Sequence, residues 1–405
     1  MNEYTQKSFC NACGSNDLIK SLDLRNQPLA NSYKKSIAEE EKKYPLAVNL
    51  CKNCFHLQLT HSVNQELIFK SYLYVSGTSK TLKEYSDWFA KFVDEYIDKK
   101  FNCVLDIGCN DGLQLNSFKE LGYTTWGIDP AENIYPISSK NHNIICDFLN
   151  EELTRKNTIQ FDAISAQNVV AHNPDPYQFL LDVKNLMSDH TLLFVQTSQA
   201  NMVSNNEFDT IYHEHNNFFN AMSMKKLAER CGLNVIDCIK TPIHGVSYVF
   251  VLSKTINQFS KIDNFLNMEE AQGLYNTTKY FEWENKVETN MAVLKKTLLD
   301  YKSKDYKLVG YGAAAKGNTL LNYIDAKLDL IIDDNPLKQN LFTPGTNIPI
   351  KVINELTNFV DSEKIMFIPL AWNFFNEIKN RILTVRNNKN DCFLTYFPKV
   401  EIINV

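Results

Sequence analysis

"NCVLDIGCNDGLQL", residues 102–115, sets the architecture of this chain. Val104, Leu105 and Ile107 read as a buried strand, Gly108 and Gly112 as a tight turn, and a helix is expected from near Leu113. The next apolar run, "TTWGIDP" (124–130), ends at Asp129 and Pro130. A strand, a glycine turn, a helix and a second strand tipped by an acid open a doubly wound α/β sheet, with the acid placed to take two ribose hydroxyls.

That pattern alone suits NAD, FAD or S-adenosylmethionine. The turn is Gly108-x-Asn110-x-Gly112 rather than GxGxxG, so it lacks the close-approach glycine that a pyrophosphate wants. Asp106 precedes it on the strand. "ICDFL" (145–149) supplies Asp147 and Phe148, an acid and a ring suited to an adenine amino group and face. "FDAISAQNVVAHNPDP" (161–176) gives a fourth strand ending in Gln167 and Asn168, and "TLLFVQTSQ" (191–199) a fifth. In this order the elements resemble a class I S-adenosylmethionine-dependent methyltransferase.

After the fifth strand comes "YHEH", Tyr212, His213, Glu214 and His215. The two histidines are two apart, not the four of a helical zinc-protease motif. Ligands of open α/β sheets bind beyond the carboxyl ends of the strands, so this cluster and His172 are both expected near the transferable methyl.

Upstream, "CNAC" (Cys10, Cys13) and "CKNC" (Cys51, Cys54) make two CxxC pairs. Four thiolates suit one tetrahedral zinc with no position left open for chemistry, so the expected role is structural. The long gap between the pairs implies an inserted loop, read at "RNQPLANSY" (25–33), and the other six cysteines read as core fillers. Downstream, helical sequence over about 257–304 leads to "YKLVGYGAAAKGNTLLNYI" (306–324) and "LDLIIDDNPLKQ" (328–339). This is a second Rossmann-like unit with Gly310, Gly312 and Gly317 off the NAD spacing. Its turn carries Lys316 at a helix N-terminus, which suits a phosphate, or the glycines serve close packing alone.

Composition bounds the rest. A chain of 405 residues with 44% hydrophobic and 22% charged residues is expected to form two or three globular domains. A net charge of -5 gives no electrostatic case for nucleic acid or an anionic membrane. The first ten residues lack a signal-peptide core and no run is long enough to span a bilayer, so a cytoplasmic location is expected.

The combination of zinc module, methyltransferase core with "YHEH", and "GYGAAAKGN" domain resembles the bacterial nucleotide-sugar C-methyltransferases over essentially the whole chain. The resemblance implies an α/β protein in three parts: a zinc-binding module (1–70), a class I core binding S-adenosylmethionine (71–254), and a C-terminal Rossmann-like domain (255–405) that helps bind the nucleotide sugar. It implies methyl addition at C3 of a nucleotide-linked 4-keto-6-deoxysugar through a base-generated enolate. His215 is the implied base, with Tyr212, Glu214 and His172 beside it and Tyr72 or Tyr74 from "SYLYVSGTS" (71–79) at the substrate. The cofactor residues are Asp106, Gly108, Asn110, Gly112, Asp129, Pro130, Asp147, Phe148, Gln167 and Asn168.

The family's HGGS motif, followed by arginine two positions on, stands here as "HGVSYV" (244–249). His244, Gly245 and Ser247 match, while Val246 and Val249 depart and leave the sugar and nucleotide open. Gly312, Lys316 and Asn318 are the implied nucleotide-sugar contacts. A monomer or weak homo-oligomer is expected. O- or N-methylation of a related substrate, an NAD-dependent oxidoreductase using the C-terminal turn, and a zinc-ribbon scaffold are the competing readings.

Overall fold

Seven strands follow the glycine turn's lead and build one sheet: β1 (Cys103–Ile107), β2 (Thr124–Ile128), β3 (Asn143–Ile145), β4 (Ala163–Gln167), β5 (Leu192–Ser198), β6 (Asn234–Thr241) and β7 (Ser247–Ser253). The computed structural model describes residues 3–69, 80–198, 201–243, 246–255 and 260–405. The sheet order is β6-β7-β5-β4-β1-β2-β3. β1 to β5 run parallel, and β7 lies antiparallel between β5 and β6. The reversal of direction outward from β1 leaves a crevice above the carboxyl ends of β1 and β4, where such sheets bind ligands. β1 is buried at every position, as a strand covered on both faces must be.

Apolar side chains on the two faces of this sheet form separate cores. Leu105, Ile107, Ile164, Leu180 and Val195 pack on one face; Phe89, Val104, Phe118, Phe194 and Val251 pack on the other. Leu113–Glu120, hereafter α1, starts immediately after Gly112, as the sequence predicts.

By contacts, the chain divides into two units, each discontinuous in sequence. The first holds residues 1–19, 49–200 and 214–277; the second holds 20–48, 201–213 and 278–405. The second unit has its own sheet of β8 (Tyr306–Tyr311), β9 (Leu330–Ile332), β10 (Ile350–Lys351), β11 (Lys364–Pro369), β12 (Cys392–Thr395) and β13 (Glu401–Asn404). Its order is β10-β9-β8-β11-β12-β13, parallel except for β13. The helix α2 (Ala315–Ile324) follows β8, which makes the second Rossmann-like turn.

Two local expectations are corrected. The "RNQPLANSY" stretch is not wholly loop: strand Leu18–Pro28 runs through Arg25, which takes a left-handed φ of 65° and keeps the strand going, and only the residues after Pro28 turn away. Of the six cysteines outside the CxxC pairs, five are buried, but Cys146 is exposed beyond β3. The helical region resolves into Ile262–Ala271 and the 26-residue Thr277–Lys302.

Candidate active site

The cofactor crevice is built from backbone first. Gly108 has φ 73°, and a Cβ there would lie 2.4 Å from Val169 Cγ2, so only glycine fits where the turn passes the β4 loop. Its N–H donates to Ile128 O at 2.7 Å, which locks the turn against β2. Asn110 and Gly112 continue in left-handed backbone.

Asp129, one residue past β2, accepts the N–H of Asn110 at 2.8 Å on Oδ2 and that of Ala131 at 2.9 Å on Oδ1. Pro130 between them has no N–H to compete. Burial raises the Asp129 pKa, and the two backbone donors oppose that rise. Asp106 is buried on β1 and takes the Ser165 hydroxyl at 2.6 Å. Burial, with Asp129 nearby, pushes its carboxyl up to about 7.

At the end of β4, Gln167 Nε2 donates to Gln114 Oε1 of α1 at 2.7 Å. Gln167 Oε1, Asn168 Oδ1 and Gln196 Nε2 are buried without a hydrogen-bond partner among the described residues. Gln196 is the register partner of Gln167 across β4 and β5. Buried polar atoms are almost always paired, so a cluster of three at the carboxyl ends of strands fits a polar ligand there. Asp147 and Phe148 follow β3 and are exposed; Asp147 Oδ1 caps the Phe148 N–H at 2.7 Å.

His172 and His215 come together. Their ring centroids are 4.7 Å apart, tilted by 51°, and His215 also meets the Phe218 ring edge-on at 6.3 Å. His215 and Glu214 are buried, and Tyr212 is half-buried. The division of the chain falls inside "YHEH": Tyr212 and His213 belong to the second unit, Glu214 and His215 to the first. His213 is the odd member. It is buried against Tyr44, with Nε2 3.3 Å from the Tyr44 carbonyl, and burial pushes its pKa down to about 4. It is a neutral core histidine.

What brings His215 to His172 is a signal that the sequence reading missed. Asn216 Nδ2 donates to His172 O at 2.8 Å, Asn217 N to Ala171 O at 3.0 Å, and Asn217 Nδ2 to Asn173 O at 2.7 Å. In the sequence the only sign of this is two consecutive asparagines after the histidine; the fold buries both of them.

Four cysteine sulfurs, those of Cys10, Cys13, Cys51 and Cys54, lie within 4.8 Å of one another. Cys10 to Cys54 is 3.6 Å and Cys13 to Cys51 is 3.5 Å. Zinc–sulfur bonds of about 2.3 Å in a tetrahedron put sulfurs about 3.8 Å apart, so the set fits a closed tetrathiolate zinc.

In the second unit, Gly312 has φ 87° and donates to Ile332 O at 2.7 Å. The acid beyond β9 repeats the arrangement of the first turn: Asp333 Oδ2 accepts the Ala313 N–H at 2.7 Å. Asn318 is buried, with Nδ2 on Ala30 O at 2.7 Å and Oδ1 unpartnered among the described residues. Lys316 Nζ sits 5.0 Å from the centroid of the Trp372 ring. The indole N–H of Trp372 donates at 2.8 Å to Asp209, a fully buried carboxyl whose pKa burial raises, with Lys316 and the Trp372 N–H opposing that rise. Sequence offered no reason to couple Asp209 or Trp372 to the lysine turn.

Ser247 is fully buried and its hydroxyl donates to Ile243 O at 2.8 Å. Tyr72, Tyr74, His244 and Gly245 lie outside the described residues. No helix among the described residues is long and apolar enough to cross a membrane.

Comparison with known proteins gives three family matches in order along the chain. They are a domain family described as zinc binding (10–69), a methyltransferase domain (78–237) and a C-methyltransferase C-terminal domain (242–398). C-methyltransferase NovU of Streptomyces niveus is 26% identical over 387 residues, 91% of this chain and 90% of that protein. A ubiquinone biosynthesis O-methyltransferase of Coxiella burnetii is 24% identical over 184 residues, 41% of this chain and 78% of that protein. The crystal structure of magnesium protoporphyrin IX methyltransferase from Synechocystis PCC 6803 with bound S-adenosylmethionine aligns over 43% of this chain and 79% of that one, with 12% identity and a TM-score of 0.33. Three domain matches in order, and a C-methyltransferase relative aligned over nine-tenths of the chain, show an S-adenosylmethionine-dependent methyltransferase that carries an N-terminal zinc-binding domain and a C-methyltransferase C-terminal domain.

Proposed function

We propose that the enzyme methylates C3 of a nucleotide-linked 4-keto-6-deoxysugar through an enolate. The observation that carries this reading is the meeting of half-buried His172 with buried His215 beyond the sheet that holds the cofactor crevice. Carbon is a poor nucleophile, so the sugar must first lose the proton at C3, beside the C4 ketone. Histidine is suited to take that proton at neutral pH, and general base catalysis of this kind contributes about 10²–10⁴-fold. His215 is the base in this reading. His172, or the hydroxyl of Tyr212, Tyr72 or Tyr74, donates to the enolate oxygen as charge develops there. Glu214 orients an imidazole or binds a sugar hydroxyl.

S-adenosylmethionine, when bound, supplies an electrophilic methyl on a sulfonium. Asp106, Gly108, Asn110, Gly112, Asp129, Pro130, Asp147, Phe148, Gln167 and Asn168 hold it in place, so that positioning supplies much of the remaining rate. Residues 255–405, with Gly312, Lys316 and Asn318, bind the nucleotide part, and His244, Gly245 and Ser247 complete the substrate contacts.

The test is proton exchange. The enzyme is incubated in heavy water with S-adenosylhomocysteine and a dTDP-4-keto-6-deoxysugar, and the C3 hydrogen is followed by NMR. Exchange that disappears in His215→Gln is expected. No exchange across a panel of nucleotide keto sugars, together with methyl transfer to a hydroxyl, would move the enzyme to O-methylation, the chemistry named for the relatives that match the core alone.

A further inference from the structure

We propose that the zinc knuckle is a positioning device for the histidine pair, and that Asn11 and Asn217 are the residues through which it acts. The carbonyls of Val170, Ala171, His172 and Asn173, four in a row, all accept N–H groups from Asn216 and Asn217. Three of these contacts lie at 2.7–3.0 Å, and the fourth, Asn217 Nδ2 to Val170 O, at 3.4 Å. The segment carrying His172 is therefore clamped to the two residues that follow His215.

The clamp is in turn bolted to the metal site. Asn11 is the residue after Cys10 in the "CNAC" turn, and its Nδ2 donates to Asn217 Oδ1 at 2.8 Å. The Asn11 backbone N–H donates to Gln58 Oε1 at 2.7 Å, and Gln58 Nε2 returns to Phe9 O at 2.9 Å, so Gln58 brackets the knuckle. Gln58 is also the register partner of Asn217 in the antiparallel pairing of Leu57–Leu59 with Asn217–Phe218. Asn217 Oδ1 has a second neighbour, His56 Nε2 at 3.2 Å.

Gln58, Asn216 and Asn217 are all buried. In the protein interior, a fully paired polar network holds one geometry, whereas removing one donor leaves a buried acceptor short of partners. A tetrathiolate zinc fixes the turn from which Asn11 reaches. The metal thus sets the separation of two imidazoles that it never touches, without entering the chemistry.

This inference rests on reading His172 and His215 as the reacting groups, but its test reads the clamp directly. Backbone hydrogen exchange over 170–173 and 214–218 is measured in the full-length enzyme with S-adenosylhomocysteine bound, alongside zinc content and kinetics. Asn11→Ala keeps all four thiolates. It is expected to retain one zinc and to bind S-adenosylhomocysteine within twofold of wild type. Exchange in both segments should rise at least tenfold, and kcat should fall at least tenfold with KM changed less than threefold.

Arg230→Ala removes contacts to Ala12 O at 2.6 Å and Asn11 O at 3.4 Å on the same turn but leaves the Asn11–Asn217 side-chain link, and should leave the exchange unchanged. Wild-type exchange in zinc-loaded Asn11→Ala overturns the proposal, and so does an equal rise in Arg230→Ala. Should Asn11→Ala lose its metal, Asn11→Asp, which keeps the side chain's size but removes the N–H donor to Asn217, decides by the same criterion. Faster exchange without loss of kcat would keep the clamp and instead refute the catalytic reading of the histidines.

Discussion

Gly108→Ala tests the cofactor turn at its tightest point. The new Cβ would sit 2.4 Å from Val169 Cγ2, whereas carbon contacts settle at about 3.5–4.0 Å, so the loop must move by about an ångström. The backbone φ of 73° adds a left-handed penalty of about 1–2 kcal/mol for an L-residue. Overpacking of this kind costs about 1–3 kcal/mol, for a total of about 2–5 kcal/mol shared between folding and cofactor binding. Val169→Ala in the same chain removes Cγ2 and leaves only the backbone term, since Val169 Cβ would then be 3.8 Å away.

Calorimetry with S-adenosylhomocysteine and thermal unfolding together measure the sum. The single variant should lose at least about 30-fold in affinity if even the lower figure falls on binding, and the double variant should recover about 1–3 kcal/mol. Wild-type affinity and stability in Gly108→Ala, or no recovery in the double variant, would refute the steric argument.

Other outcomes follow from the same geometry. The carboxyl of Asp106 is pushed up to about 7 in the fold by burial, against an ordinary value of 3.8, so the folded chain holds a proton there that the unfolded chain has released. Its contribution to stability is full below pH 3.8 and is lost as pH rises toward 7; denaturant titrations should show Asp106→Asn lacking that decline. His213, held neutral to about 4, works in the opposite sense: its stability is present above pH 6.5 and lost as pH falls from there to 4, and His213→Gln should flatten that limb. Metal analysis should give one zinc per chain at Cys10, Cys13, Cys51 and Cys54, and a chelator should lower the unfolding temperature sharply; a zinc-free chain of unchanged stability would refute the structural role. Lys316→Met should raise the Asp209 pKa further and lower the unfolding temperature of the ligand-free enzyme, because the coulombic support that offsets part of the carboxylate's burial is lost, and adding Asp209→Asn should restore much of it.

The parts that were legible in the sequence are those where backbone geometry restricts residue type. A positive-φ turn demands glycine at 108, and an acid past the second strand announces itself at Asp129, so the core could be laid out from "NCVLDIGCNDGLQL" outward. Strand order put His172 and His215 at the same end of the sheet, but not ring against ring. The asparagine clamp did not, because an amide's partners are set by segments far apart in sequence: Asn217 binds residues 206 positions away in Asn11 and 44 away in Asn173. Lys316 read as a phosphate ligand from its turn, while its neighbours Trp372 and Asp209 come from segments with no motif. His213 and His215 look alike in "YHEH", and only burial against Tyr44 separates a core residue from a candidate base.

The segment between the two CxxC pairs belongs to the second unit, where it is fastened to the Rossmann-like turn. Tyr33 donates to Ala313 O, Asn318 reaches Ala30 O, and Glu41 receives the N–H of Gly345. Anyone exchanging C-terminal halves among related enzymes to change substrate choice would therefore be cutting in the wrong place at residue 255. The transferable cassette includes residues 20–48 and 201–213, and a chimera that omits them leaves Asn318 and Gly345 facing a foreign loop.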